Sequence, residues 1–262
     1  MRRDRKISRT GEEKLNNQGC LMKIIEYINC RNIIVQFQDE YKARVHTNYD
    51  SYIKGNVRNP FAKTVSGVGI IGDKYAACIN RKGTKEYNVW SHMLKRCFDE
   101  KYKKRNPTYK NVTCCDEWLY YPNFYEWLHS QSNFDNWYNG NNWNLDKDII
   151  IKNNKVYSPD TCCLVPCNVN SLFTKRDNDR GDLPVGVTYN KVSKKYRAQC
   201  NNPFTGKRVC VDICQTSEEA FLAYKIYKED IIKQIAQQEF NNGNITEKCY
   251  NAMMRYEVEI TD

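Results

Sequence analysis

Apolar residues follow two different periods along the chain, and the change of period separates its modules. Between residues 20 and 64 they alternate with polar residues in "CLMKIIEYI", "NIIVQFQD" and "YKARVHTNY", which predicts three strands of a small β module. Gly55 and Pro60 end this module as chain breakers. The glycines of "VSGVGIIG" (65–72) do not open a helix after a phosphate-loop strand, so the sequence argues against nucleotide binding.

Helical spacing begins at residue 85 and continues to residue 129. Five residues share one face of the first helix and are typical of core rather than of a binding site: Tyr87, Trp90, Met93, Leu94 and Cys97. An Asn- and Gly-rich loop follows at 133–144. After it, the pattern predicts a strand ending at Asp146, a second short strand, and the start of a helix near Asn170.

The last module has the clearest pattern. The stretches "PVGVTYN", "KYRAQCN" and "KRVCVDIC" predict three strands joined by tight turns, and Thr216 with Glu219 predicts a capping box that begins a helix. Three strands and one helix account for residues 183–238. The charged segment "TKRDNDRGD" (174–182) is typical of a linker before them, and the tail at 239–262 contains a short helix in "TEKCYNAMMRYE".

Charge and aromatic content favour a nucleic-acid partner. The 262 residues carry a formal charge of +10, and 13% of them are aromatic. Basic side chains neutralise phosphates, and aromatic rings stack on bases. Basic residues are densest at 95–110, with a net charge of +5, where Lys103, Lys104 and Arg105 are candidate phosphate contacts. The basic arm at 1–19 is either a solvated segment or one that follows phosphates.

The chain has the sequence features of a protein of the cytoplasm. No apolar run approaches the ~18 residues of a membrane helix, and the basic N-terminus lacks the apolar stretch of a secretory signal. We expect a cytoplasmic location and no membrane partner. The thirteen Cys are then thiols or metal ligands. A structural zinc on Cys97, Cys115, Cys162 and Cys167 is less favoured than buried thiols, because no Cys-x-x-Cys occurs.

Residues 87–173 resemble the phage and mobile-element branch of the HNH endonuclease superfamily. The resemblance rests on the order and spacing of "YNVWSHMLKRC", "VTCCDEW", "FYEWL", "LDKD" and "VYSPDTCCLVP", closed by Asn170. It implies a ββα hairpin around one Mg²⁺ or Mn²⁺ ion, which stabilises charge on the phosphodiester being hydrolysed. Carried over by position, Asp146 and Asn170 are the metal ligands, and Asn168 replaces Asn170 if the helix begins earlier.

Two positions depart from the family pattern. Lys147 stands where a general-base His is expected, and Thr161 stands where an Asn braces the loop. A protonated lysine is a poor base, and losing a general base typically costs about 10²- to 10⁴-fold in rate. Asp148 is an additional carboxylate that can reach the ion or orient water. His129 is a candidate replacement base if the fold brings it near the hairpin.

The candidate catalytic residues are therefore Asp146, Lys147, Asp148 and Asn170. The ordinary structural interpretation of the same residues is that the two Asp side chains cap a turn and Asn170 caps a helix. The pattern alone favours that interpretation, and the family resemblance favours the metal site.

Residues 183–238 resemble the ethylene-response-factor-type DNA-binding domain, most clearly in "GVTYNKVSKKYRAQC". The resemblance implies that the three-stranded sheet lies in the major groove of duplex DNA. It assigns six residues to the DNA face: Tyr189, Lys194, Lys195, Tyr196, Arg197 and Arg208. Apart from the family, Arg197 and Arg208 lie on neighbouring predicted strands, and arginine can bind a phosphate or the O6/N7 edge of guanine. The alternative is that these are ordinary solvated sheet charges.

The sequence thus predicts an α+β protein with a small N-terminal β module and a central HNH-like ββα-metal domain (85–173) with flanking helices. A C-terminal three-stranded antiparallel sheet plus helix completes it. The expected function is that of a DNA-binding, metal-dependent endonuclease similar to homing endonucleases. The alternative is a catalytically inactive HNH-derived phage protein that acts by binding, as a regulator or as an inhibitor of a host defence complex. A third hypothesis is an RNA-binding module, because stacking aromatics are abundant.

Overall fold

The protein is mixed α and β and forms two compact units, Met1–Glu126 and Trp127–Asp262. The computed structural model describes residues 8–174, 183–260 and 262. The first seven residues of the predicted arm and residues 175–182 of the predicted linker lie outside the described residues. No helix in the described part of the chain is long and apolar enough to cross a membrane.

A four-stranded antiparallel sheet in the order β1-β2-β3-β4 begins the first unit. The elements are β1 (Glu13–Leu15), β2 (Leu21–Asn29), β3 (Asn32–Phe37), β4 (Arg44–Thr47) and the helix α1 (Tyr49–Ile53). Alternate residues of β2 and β3 pack into one core, as their period-two pattern predicts. The strand β1 lies within the segment predicted as an arm. Its pattern gave no signal because all three of its residues are exposed, and it is held by backbone pairing with β2 and by the ion pair of Glu13 with Lys23.

Helices dominate the rest of the first unit. The elements are β5 (Lys63–Val65), β6 (Gly69–Ile70), β7 (Cys78–Ile79), β8 (Lys82–Gly83), α2 (Lys85–Phe98), α3 (Glu100–Arg105) and β9 (Thr113–Cys114). Two 3₁₀ turns, Pro107–Tyr109 and Asp116–Leu119, precede α4 (Tyr121–His129), which ends in the second unit. The predicted apolar face of α2 is core, because Trp90, Met93 and Leu94 are fully buried.

The second unit contains the hairpin and the C-terminal sheet. Its elements are α5 (Phe134–Asn139), β10 (Trp143–Asp146), β11 (Val156–Tyr157), β12 (Cys163–Pro166), α6 (Cys167–Ser171), β13 (Val187–Asn190), β14 (Lys195–Asn202), β15 (Lys207–Cys214), α7 (Ser217–Asn241) and α8 (Glu247–Met254). The strands β10 and β12 pair antiparallel, and α6 follows β12 directly. The predicted helix of the tail is α8.

The predicted three-stranded sheet packed on a helix is present. Its strand order is β13-β14-β15, all antiparallel, and α7 packs against all three strands. Thr216 and Glu219 form the predicted capping box at the start of α7. Gly186 lets the chain approach this helix: its φ is +74°, and a Cβ there would lie 2.1 Å from the Tyr224 ring.

The 25 residues of α7 serve two cores, which the sequence pattern did not indicate. Ala220 and Tyr224, in its first half, pack under the C-terminal sheet. Ile231, Ile232 and Ile235, in its second half, pack with the β12 and α6 residues of the hairpin. One continuous helix therefore joins the C-terminal sheet to the β10–β12 hairpin, so these two predicted modules share a compact unit.

Candidate functional site

The C-terminal sheet has one face against α7 and one face away from it, which we call the outer face. Ala198 and Cys200 of β14 are buried against α7. Arg197, Gln199 and Asn201 alternate with them and therefore belong to the outer face. Directly paired residues of neighbouring strands share a face. The register thus adds four residues to it: Thr188, Arg208, Cys210 and Ile213.

The outer face unites the two arginines that the sequence singled out. Arg197 pairs with Ile213, and Arg208 pairs with Asn201. Four residues separate Arg197 from Asn201 along β14, so the two arginines lie about 13 Å apart along the strand direction, at ~3.3 Å per residue. Gln199 contributes a side-chain amide between the two arginines, and Asn201 contributes one beside Arg208. Sequence reasoning missed these two amides, although their positions two and four residues after Arg197 would have revealed them.

Arg197 has an unmet hydrogen-bonding capacity. Its Nε is buried, and no acceptor pairs with it in the described part of the chain. A buried N–H without an acceptor is unfavourable, and an anionic or carbonyl acceptor would satisfy it. The surrounding segment is strongly basic, since residues 187–214 contain six Lys or Arg and one Asp. The outer face is therefore positively charged, and the Nε of Arg197 beneath it is left without an acceptor among the residues described.

The structure does not bring all six predicted DNA-face residues together. Tyr196 packs with the core between sheet and helix, and Tyr189 pairs with it, their ring centroids 5.0 Å apart. These two tyrosines are on the side of α7 and are separated from Arg197 by the sheet. Lys195 alternates with Arg197 onto the outer face. Lys194 lies in the β13–β14 turn, exposed, at a φ of +53°.

The hairpin of the second unit contains the other predicted site. Asp146 is the last residue of β10, where the HNH resemblance expects the first metal ligand, and it pairs with Cys163. Its Oδ1 accepts two backbone hydrogen bonds of 2.8 Å, from the N–H groups of Asp148 and Ile149. This carboxylate therefore caps the turn after β10, as the ordinary structural interpretation expects.

Asp146 has an unusual affinity for a proton. Burial, reinforced by the nearby Asp148 carboxylate, raises the pKa of Asp146 to about 6, and the two backbone N–H groups oppose this shift. Two carboxylates at hydrogen-bonding distance repel one another when both are ionised. A cation between or beside them relieves this repulsion.

Lys147 supplies such a cation from within the chain. It is only 7% exposed, and its Nζ lies 3.1 Å from Oδ2 of Asp148. The ammonium also lies 5.9 Å from the centroid of the Tyr157 ring. Lys147 stands where the HNH resemblance expects a general base, and its geometry is that of a buried counter-ion for Asp148.

Asn154 braces the loop between the hairpin strands, a role that the family pattern led us to seek at Thr161. Its Nδ2 donates to the backbone oxygens of Lys147 and Val156, each at 2.7 Å. Thr161 also contributes, because its hydroxyl donates to the oxygen of Val156 at 2.7 Å. The sequence could not have identified Asn154 as the brace, because its only signal is an Asn between two predicted strands and the adjacent Asn153 has the same signal.

The predicted helix ligands lie in a short helix. Asn170 is the fourth residue of the five-residue α6, so it is not at the helix cap. Asn168 donates its Nδ2 to Oε1 of Glu239 at 2.9 Å, which commits that side chain to α7. His129 packs its ring against Phe134, with centroids 4.0 Å apart.

The side chains of Asp146, Asp148 and Asn170 have the oxygen atoms that a divalent ion prefers. Hydrogen bonds and an ion pair within the protein already use some of these oxygens. Carboxylate and amide oxygens suit Mg²⁺ or Mn²⁺. However, one oxygen of Asp146 caps a turn, and Asp148 has Lys147 as its counter-ion. Among the described residues, no group of three or more His, Cys, Asp or Glu side chains is arranged to hold a metal. All thirteen cysteines are free thiols.

The basic stretch of the first unit forms the end of a helix. Lys103, Lys104 and Arg105 are the last three residues of α3, and Lys103 lies 3.8 Å from Glu100 one turn earlier. Cations in a last turn and an acid in a first turn both complement the helix dipole. These three side chains therefore stabilise the end of α3, in addition to their predicted role as phosphate contacts.

Comparison with known proteins adds nothing to these observations: no family model matches the chain, and no curated protein or solved structure matches it significantly.

Proposed function

We propose that the chain binds duplex DNA through the outer face of its C-terminal sheet. The observation that carries this proposal is the pairing register, which gathers Arg197, Gln199, Asn201 and Arg208 on one face. A sheet ribbon fits the major groove, which is about 12 Å wide. There, arginine pairs with guanine, and Asn or Gln pairs with adenine, while unpaired cations release counterions from phosphates.

The charge distribution within the second unit supports the same proposal. Residues 187–214 carry six basic side chains against one acid, whereas α7 carries three against five. The positive residues are therefore on the sheet, and the helix behind it is slightly negative. A field of this kind orients the outer face toward a polyanion.

Phosphodiester hydrolysis is the second candidate function. It is favoured by the order of elements, an antiparallel β10–β12 pair followed by α6, with Asp146 and Asp148 at the end of the first strand. A bound divalent ion would supply Lewis-acid stabilisation of the phosphate, and Asp146, Asp148 and Asn170 are the residues that would hold it. Lys147 would orient Asp148 and attract a phosphate, but as a protonated amine it would not deprotonate water.

The binding proposal is tested by fluorescence anisotropy on the full chain. A 20-base-pair duplex and a single-stranded RNA of equal length compete for the protein across a range of salt concentrations. The proposal predicts preference for the duplex and an affinity that falls steeply with salt. Equal or stronger binding of the RNA would support the RNA-binding hypothesis and would sink the proposal.

The hydrolysis candidate is tested by nicking of supercoiled plasmid with Mg²⁺ or Mn²⁺. Asp146→Ala is compared with Asp160→Ala, whose side chain is exposed in the same loop. Nicking that requires the metal, persists in D160A and is abolished in D146A would support the endonuclease. A wild-type protein that binds duplex but never nicks it would instead be an inactive, HNH-like binding protein.

A further inference from the structure

The first unit contains a cleft to which neither the predicted nuclease site nor the C-terminal sheet contributes. It has a volume of about 920 Å³. Four segments converge on it: the β1–β2 turn, the chain after α1, the β5–β6 hairpin and the start of α2. Clefts of roughly 300–1,000 Å³ are the usual size for small-ligand sites.

The lining of this cleft contains hydrogen-bond donors and a positive charge. Among the residues that the structure describes, Arg58 is the one cation of the lining, and no Asp or Glu belongs to it. The Arg58 guanidinium has no hydrogen-bond or ion-pair partner among the described residues, and its side chain is exposed. Gln18 uses its Oε1 to accept from the backbone of Asn59, which leaves its Nε2 donor available to the cleft. An arginine with free N–H groups and no carboxylate nearby favours a phosphate.

Tyr87 also lines the cleft, close enough to Arg58 for the two side chains to interact electrostatically. Burial raises the pKa of Tyr87, and the positive charge of Arg58 opposes that shift. The Tyr87 ring is fixed from behind, with ring centroids 5.8 Å from both Trp90 and Tyr121. A cation and a fixed aromatic hydroxyl therefore border the same space.

The remaining walls suit a flat, hydrogen-bonding group. Val57, Pro60, Val65 and Ile71 provide apolar surface. The Nδ2 of Asn17 donates to the Oδ1 of Asn56 at 3.0 Å, which leaves the Oδ1 of Asn17 as an acceptor and the Nδ2 of Asn56 as a donor. A phosphate joined to a planar ring with polar edges is the ligand class that meets all of these surfaces. That class is the nucleotide.

We propose that this cleft binds a nucleotide unit, with Arg58 on its phosphate and the apolar wall and turn amides around its base. The phosphate is held by side-chain donors and not by a glycine-rich loop, so the proposal departs from the expectation, drawn from the glycines of residues 65–72, that the chain binds no nucleotide. The unit is either a free mononucleotide or one residue of a single-stranded nucleic acid.

Binding is measured by isothermal titration of the full chain with each of the four 5′-deoxynucleoside monophosphates, the matching nucleosides and inorganic phosphate. We expect a monophosphate to bind at least about tenfold more tightly than its nucleoside and than phosphate alone. Arg58→Gln should abolish that advantage, whereas Arg44→Gln, an exposed arginine of β4 outside the cleft, should retain it. Equal thermal melting of the two variants establishes that R58Q is folded.

A 5′-phosphorylated single-stranded hexanucleotide distinguishes the two sources of the ligand. It is titrated in an Arg197→Gln/Arg208→Gln background, so that the C-terminal sheet contributes little. Binding of the hexanucleotide but of no monophosphate, abolished by R58Q, identifies a strand as the source. Tyr87→Phe, which keeps the ring contacts, should weaken either ligand.

Three results would overturn the proposal. The first is no nucleotide or hexanucleotide binding by the folded wild-type chain, and the second is equal binding by R58Q. The third is inorganic phosphate that binds as tightly as a nucleotide, because the base would then contribute nothing to binding. Since duplex binding is assigned to the other unit, R58Q should leave duplex affinity unchanged. Failure here is therefore distinguishable from failure of the proposed DNA interface.

Discussion

The outer face of the C-terminal sheet and the β10–β12 hairpin both contain basic residues, and they differ in what those residues contact. Lys147 and Lys152 of the hairpin region pair with Asp148 and Asp262 at 3.1 and 2.7 Å. Within the described part of the chain, the six basic residues of β13–β15 and their turns have no carboxylate partner. A cation already paired inside the protein stabilises the fold, whereas an unpaired surface cation is available to an external phosphate.

Removing the two outer-face arginines together should have the largest effect. Each arginine that binds a base or phosphate contributes about 1–3 kcal/mol, so Arg197→Gln/Arg208→Gln should weaken duplex binding about 30- to 10⁴-fold. The slope of log affinity against log salt should also fall by up to about two, roughly one for each phosphate that an arginine no longer neutralises. Anisotropy titrations at several salt concentrations measure both quantities.

Arg255→Gln is the matched control for this double variant. Arg255 is an exposed arginine of the same unit that donates its Nε to the backbone of Asn251, after α8. Its substitution should change duplex affinity by less than the removal of one outer-face arginine. Equal weakening by R255Q would mean that net charge, and not the outer face, governs binding.

Removing the hairpin cation should affect stability rather than binding. Lys147→Met leaves the Asp148 carboxylate, beside Asp146, without its buried counter-ion. Breaking a buried pair costs about 3–5 kcal/mol, and the partial exposure of Asp148 reduces the expected destabilisation to about 1–3 kcal/mol at pH 7. Urea unfolding measures it, with Lys155→Met, an exposed residue of the same loop, as the control. A K147M protein as stable as K155M would show that the pair contributes nothing.

The pH dependence of Asp146 should produce an effect no larger than that of the Lys147 substitution. Its pKa is raised from 3.8 to about 6 in the folded protein, so the folded state binds this proton more tightly than the unfolded state. Stability from this residue is therefore full below about pH 4 and is lost as pH rises through about 6, by up to about 3 kcal/mol at ~1.4 kcal/mol per pKa unit. Unfolding in a chelating buffer at each pH should show this fall in wild type and in Asp160→Asn but not in Asp146→Asn. An equal fall of the free energy of unfolding with pH in D146N would show that another group binds the proton.

The same comparison separates what sequence could predict from what it could not. The C-terminal sheet was predictable because tight turns and period-two alternation set its register locally, and that register fixes Arg197 and Arg208 on one face. The same alternation, followed strictly, separates Tyr196 from Arg197. Assigning both residues to the DNA face followed the family resemblance and not the pleat of the strand.

The hairpin was predictable only in outline. The position of Asp146 at the end of β10 followed from the pattern, whereas the Lys147–Asp148 pair and the bracing by Asn154 depend on how a 16-residue loop folds back. Neither the spacing nor the period encodes those interactions. The double role of α7 was equally hidden, because a helix with two apolar partners has the pattern of one amphipathic helix.

Alkylation of Cys210 tests the central claim most directly. This exposed thiol lies on the outer face between Arg208 and Asp212, whereas the exposed Cys30 and Cys78 belong to the other unit. Mass spectrometry follows iodoacetamide modification of each thiol with and without saturating duplex DNA. The outer-face interface predicts that duplex slows modification of Cys210 and leaves Cys30 and Cys78 unchanged. Modification of Cys210 at the same rate in the bound protein would contradict it.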